Sequence, residues 1–127
     1  MGYVRVTAQV GASVDDLHAV RFLVDTGAFY TALSPLLVRE LRLPLGVVGP
    51  VITADNRTVN VQYASAYLRL MGRDAGIWVA VMDSPESLLG VTALEALGLK
   101  VNPVAGTLEY DRPYAAAMLF QEGPTDG

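Results

Sequence analysis

Apolar and polar residues alternate near the start of the chain. Val4, Val6, Ala8 and Val10 fall on one face, and Arg5, Thr7 and Gln9 on the other. That two-residue period is the mark of a half-buried strand. Residues 3–10 are thus predicted as a strand and 11–16 as a polar turn. A more apolar strand is expected over 19–24, running directly into Asp25-Thr26-Gly27-Ala28. After Thr31-Ala32-Leu33, Ser34-Pro35 signals a helix start, with Ser34 as N-cap and Pro35 in the first helical position. This helix is expected over 36–43, ending before Pro44. Strands over 47–54 and 58–71 flank the turn Asp55-Asn56-Arg57 and make a hairpin. In the second of them Val59, Val61, Tyr63, Ser65 and Tyr67 share a side. Past the turn Gly72-Arg73-Asp74, residues 77–82 read as an apolar strand and 83–87 as a loop. Leu88-Leu89-Gly90 leads into a short helix over 92–97, stopped by Gly98. Residues 100–102 and 107–110 are strands separated by a Pro/Gly turn. The apolar stretch 114–120 fits a helix or a strand, and 121–127 is a polar tail expected to be disordered.

Many short strands, frequent turn signals and two short helices indicate a mainly β protein, either a small barrel or a sandwich. A chain of 127 residues fits one domain, placed at 1–120. Composition narrows the chemistry. There is no cysteine, which excludes disulfides, thiolate metal sites and a cysteine nucleophile. His18 is the single histidine, so no multi-histidine metal site can form. The net charge is −4, the pI about 4.7, and the basic residues are scattered. A nucleic-acid partner needs a basic patch, and none is expected here. The apolar run 76–82 is far shorter than the roughly 20 residues that span a bilayer. The first residues, Met1 to Val6, lack the apolar core of a signal peptide. No membrane association and a cytoplasmic location are therefore expected. With 52% hydrophobic residues and a mean hydropathy of +0.36, the chain is more apolar than usual at this size. Either the core is large or apolar surface awaits a partner.

The informative segment is Phe22-Leu23-Val24-Asp25-Thr26-Gly27-Ala28. An apolar strand buries itself and thrusts a carboxylate out at its end. Gly27 permits a turn that a side chain would block, and Thr26 can donate a hydrogen bond sideways. An Asp-Thr-Gly occurs by chance in about a few per cent of chains this long, so its context matters. An apolar-apolar-Gly element, Leu88-Leu89-Gly90, recurs later, directly before a short helix.

With these pieces in this order, the sequence resembles the retropepsin-like aspartic proteases. These are single-domain relatives of pepsin found in retroviruses and in many bacteria and archaea. The resemblance runs from about residue 3 to 110. Val24-Asp25-Thr26-Gly27-Ala28 looks like the catalytic loop, residues 50–63 like the flap hairpin, and Leu88-Leu89-Gly90 with 92–97 like the second glycine element and its helix. The resemblance implies a small closed acid-protease barrel with two short helices, homodimeric. It also implies an aspartic endopeptidase that needs no cofactor or metal and acts on an extended peptide or protein. Asp25, Thr26 and Gly27 would be catalytic, and Ala28, Thr53, Ala54, Asp55 and Asn56 would bind substrate. Two positions depart from the family pattern. Phe29 stands where a small or polar residue is usual, and the tip Asp55-Asn56-Arg57 has no glycine. Asn56 can take a left-handed glycine's place.

Metal-free hydrolysis without a covalent nucleophile needs a water activated by two close carboxylates sharing one proton. This chain carries one Asp-Thr-Gly, and the resemblance implies that the second acid comes from a second copy across a twofold axis. The remaining candidates are weaker. Asp15, Asp16 and His18 lie in the expected turn without further ligands. Ser34, Ser65, Ser84 and Ser87 lack a nucleophile elbow. Asp83 and Glu86 flank Pro85 in an expected solvated turn, and Tyr63 and Tyr67 read as packing. The alternative function is a non-catalytic binding or assembly module that keeps this fold.

Overall fold

The computed structural model describes residues 3–53 and 55–113. The expected tail 121–127, the apolar stretch 114–120 and Ala54 lie outside the described residues.

The chain opens with β1 (Arg5–Ser13) and β2 (Asp16–Val24), an antiparallel hairpin. Both strands run further than the sequence suggests, and the predicted turn over 11–16 shrinks to Val14 and Asp15. Gly11 makes this possible. A Cβ there would stand 1.8 Å from the Asp16 carbonyl oxygen, so only glycine lets the strands stay this close where the register shifts. Next come β3 (Thr31–Leu33) and α1 (Pro35–Glu40). Ser34 caps the helix as expected, its Oγ accepting from the Leu37 N–H at 3.1 Å. The helix stops earlier than Pro44, because the chain reverses through Arg42 at φ +55°.

The strands β4 (Leu45–Ile52) and β5 (Thr58–Leu70) form the predicted hairpin. A tight turn through Met71 and Gly72, both at positive φ, leads into β6 (Arg73–Val81). β7 (Ser87–Leu89) precedes α2 (Val91–Leu97), which ends on Gly98 at φ +65°, as predicted. β8 (Leu99–Asn102) and β9 (Thr107–Tyr110) pair as a separate two-stranded sheet.

The main sheet runs β1-β2-β7-β3-β6-β5, and an added β1–β5 pairing closes these six strands into a barrel. β4 hangs on β5 outside the ring. β5 is 13 residues long and serves both structures. Its first half pairs with β4, while Tyr67 to Arg69 pair with β1. This division changes which side of the strand is buried. Tyr63 is buried, but from there on Ala64, Ala66, Leu68 and Leu70 face the core, and Ser65 and Tyr67 are half-buried. In the hairpin half Val59 is half-buried between exposed Thr58 and Asn60; from Ala64 on the even positions face the barrel interior. Phe22, Leu33, Leu68, Leu89 and Leu97 anchor that interior. Among the described residues no helix is long and apolar enough to cross a membrane.

Candidate active site

β2 delivers Asp25 to the mouth of the barrel. The apolar run Phe22 to Val24 is held on one side by β1 and on the other by β7, where Phe22, Leu23 and Val24 pair with Ser87, Leu88 and Leu89. Pairing persists into the loop, as the Asp25 N–H donates to the Leu89 carbonyl at 2.9 Å. The chain then turns, and the Ala28 N–H closes back on the Asp25 carbonyl at 3.1 Å. Inside this turn the Gly27 N–H donates to Asp25 Oδ1 at 2.9 Å. A Cβ on Gly27 would come within 3.2 Å of that same oxygen. Gly27 is not in the left-handed region, so its value here is close approach to the carboxylate rather than an unusual turn conformation.

The Leu88-Leu89-Gly90 element braces the loop from behind. Gly90 donates its N–H to the buried Thr31 hydroxyl at 3.1 Å. A Cβ on Gly90 would stand 2.5 Å from the Tyr30 carbonyl carbon and oxygen, so the two backbones touch at this glycine. The first N–H groups of α2 then find partners in the loop: Val91 donates to Ala28 at 2.8 Å and Thr92 to Phe29 at 2.9 Å. Helix starts leave such donors unpaired, and here they fix the segment that follows the acid. Glu86, in the solvated turn expected of it, takes both Arg5 Nε and Nη2, at 2.8 and 2.9 Å. The Arg5 hydrogen bonds hold the Glu86 carboxyl below the usual range.

A cleft of about 830 Å³ opens above Asp25. Asp25, Gly27 and Ala28 line it from the loop, and Thr53 lines it from the hairpin. Thr26, Asp55 and Asn56 are exposed and stand outside that lining. The remaining wall is apolar and aromatic, with Phe29, Tyr30, Ile52, Tyr63 and Leu88 among its members. Tyr30, Thr31 and Tyr63 were not legible as site residues. Thr31 offered one weak signal, a lone hydroxyl in an apolar run shortly after the acid. His18 stays remote, on β2 beside Asp16 Oδ1 at 2.8 Å.

The described residues of the hairpin tip form their turn without glycine. Asn56 takes φ +64°, the left-handed position expected of it. The Thr53 N–H donates to the Arg57 carbonyl at 2.8 Å and the Asn56 N–H to the Thr53 carbonyl at 2.9 Å. Thr53 Oγ1 donates to Asp55 Oδ1, and Arg57 Nε stands 2.8 Å from Asp55 Oδ2. The Thr53 hydroxyl, aided by Arg57, holds the Asp55 carboxyl below its ordinary value. A lowered folded value adds stability to the tip above the ordinary carboxylate range and loses it as pH falls through the folded value. The tip is therefore expected to stay formed in mildly acid solution and to loosen only below that range. An NMR titration of the Asp55 side chain checks this; a midpoint at or above the ordinary aspartate value would contradict it.

A sequence profile described as aspartyl protease matches residues 10–93, more than half of the chain. No curated protein matches it. Among solved structures, the chain is similar to the EIAV protease complexed with the inhibitor HBY-793. The identity is 20% and the TM-score 0.60, over 80% of this chain and 93% of that one. That likeness bears on the fold, which is the retropepsin-like barrel. The profile match spans the Asp25 loop, the hairpin and the Gly90 element, and the chain therefore belongs to the aspartyl protease family.

Proposed function

We propose that the protein is an aspartic endopeptidase whose active site is completed by a second copy of the chain. One observation carries this reading. Asp25 is the only carboxylate among the described residues that line the cleft. Peptide hydrolysis by activated water needs an acid and a base in the same step, and one carboxylate cannot be both. A twofold axis beside the Asp25 loop supplies the second.

Two carboxylates that close cannot both ionise, so they hold one proton between them. The ionised Asp25 takes a proton from water, and the water oxygen attacks the scissile carbonyl carbon. The protonated Asp25 of the other copy polarises the carbonyl oxygen and gives it its proton. When the tetrahedral carbon collapses, the C–N bond breaks and the amine leaves with a proton delivered through the pair. Thr26, exposed on the loop, would donate to the loop of the partner copy and keep the carboxylates coplanar. The Gly27 carbonyl would accept from substrate backbone, and Ala28 would flank the peptide. Thr53, Ala54, Asp55 and Asn56 would close over it. An extended peptide suits this cleft because the hairpin can lend it a strand's pairing pattern.

The test joins mass to chemistry. The expected outcome is a dimer by sedimentation and cleavage of an unstructured protein, blocked by a peptide with a hydroxyl-bearing, tetrahedral mimic at the scissile position. A fully active monomer at high concentration would contradict the shared site. An intact dimer that binds the mimic but releases no product would mark a binding module instead.

A further inference from the structure

Among the described residues Tyr63 is the largest fully buried side chain, 1% exposed, yet it stands apart from the contiguous apolar core of the barrel. Its ring leaves β5 and passes beside β4. A Cβ on Gly49 would lie 3.4 Å from Tyr63 Cε2, in ordinary contact at the edge of tightness. The phenol then donates to the Pro50 carbonyl at 2.7 Å. Pro50 faces Asn60 at a non-hydrogen-bonded position of the ladder, so its missing N–H removes no rung and its carbonyl points away from β5. The hydroxyl adds a tie to the same residue from the cleft side. On its other side the Tyr63 ring meets Tyr30 edge to face, with centroids 5.1 Å apart. Tyr30 follows Phe29, whose carbonyl is fixed by α2. Burial, with a smaller contribution from Tyr30, raises the phenol above its ordinary value. The donor therefore keeps its proton throughout the range in which carboxylates titrate.

Gln62 makes a second tie lower down. Its Nε2 donates to the Gly46 carbonyl at 2.8 Å, where the β4 register shifts. Beyond Gln62, the backbone pairings of the described hairpin residues are those of its own ladder and tip turn. We propose that the Tyr63 hydroxyl is a positioning group. By joining Pro50 on the hairpin to the Tyr30 wall behind the catalytic loop, it sets the height of residues 53–57 over Asp25. The consequence for substrate rests on the hydrolytic reading above, since only a cleft that closes on a peptide is sensitive to that height. Without the tie the hairpin samples heights that cannot pair with a peptide. Apparent affinity then falls by the fraction that remains competent, while the bond-making groups at Asp25 are untouched.

Tyr63→Phe removes the hydroxyl and keeps the ring. In the ligand-free protein, amide exchange over 51–60 is expected to accelerate about fivefold, the scale of one lost hydrogen bond, with β1, β2 and β6 unchanged. With a peptide substrate, KM is expected to rise about fivefold and kcat to stay within about twofold. Unchanged hairpin exchange would overturn the proposal, as would equal acceleration throughout the barrel, which marks packing alone. A fall in kcat at constant KM would overturn it too. Exchange is read without substrate, so it decides the tie even if the parent protein hydrolyses nothing; that failure would count against the proposed function instead.

Discussion

Asp25→Asn is expected to lower peptide hydrolysis by at least about a thousandfold, the scale of losing general acid–base catalysis, with the fold intact. The substitution keeps an oxygen in place to accept from the Gly27 N–H, now 2.9 Å from Oδ1. It also keeps the backbone bonds to Leu89 and Ala28, which involve no side chain. What disappears is the group that can hold or release a proton. In a dimer, like-charge repulsion disappears as well, so stability is expected to stay level or rise. Steady-state hydrolysis and a urea melt measure the two effects separately. Residual activity within tenfold of the parent would place the chemistry on another group.

Gly90→Ala is expected to cost about 3 kcal/mol of stability, at the upper end for overpacking. The position has an ordinary extended φ, so backbone strain is not the reason. The methyl group would arrive 2.5 Å from the Tyr30 carbonyl and 2.8 Å from the Thr31 nitrogen. These are backbone atoms that cannot swing aside as a side chain would. Separating the segments would also stretch the Gly90-to-Thr31 bond and the two α2 bonds to Ala28 and Phe29. The loop that carries Asp25 would shift with them. A drop in urea midpoint, with hydrolysis falling further than the unfolded fraction explains, is the expected pair of results. A variant as stable as the parent would mean that the two backbones are not locked together here.

What the sequence made legible was local chemistry. Ser34-Pro35, Gly98 and Asn56 each specify one turn of backbone with their own atoms, and each appears where expected. The Asp25 loop and the hairpin were readable for the same reason, as a carboxylate at a strand end and two alternating runs around a polar turn. What depended on distant partners was not readable. β3 and β7 have three residues each, too few to show a period. They exist because β6 and β2 lie parallel beside them. In β5 the alternation was plain, but its buried side changes after Tyr63 because the strand leaves the hairpin and enters the ring. Thr31 and Gly90 are 59 residues apart, and Tyr63 reaches Pro50 across 13. The register of the ring strands β3 and β7 brings the first pair together, and that of the β4–β5 hairpin the second.

Subunit mixing tests the shared site most directly. The parent protein, held at fixed concentration, is allowed to exchange subunits with about a tenfold excess of the Asp25→Asn variant, and hydrolysis is then measured. If each site takes one Asp25 from each copy, random pairing moves nearly all parent chains into mixed dimers with a single carboxylate, and activity falls roughly tenfold. Activity that stays at the parent level after exchange is complete would show that one chain carries out the hydrolysis alone.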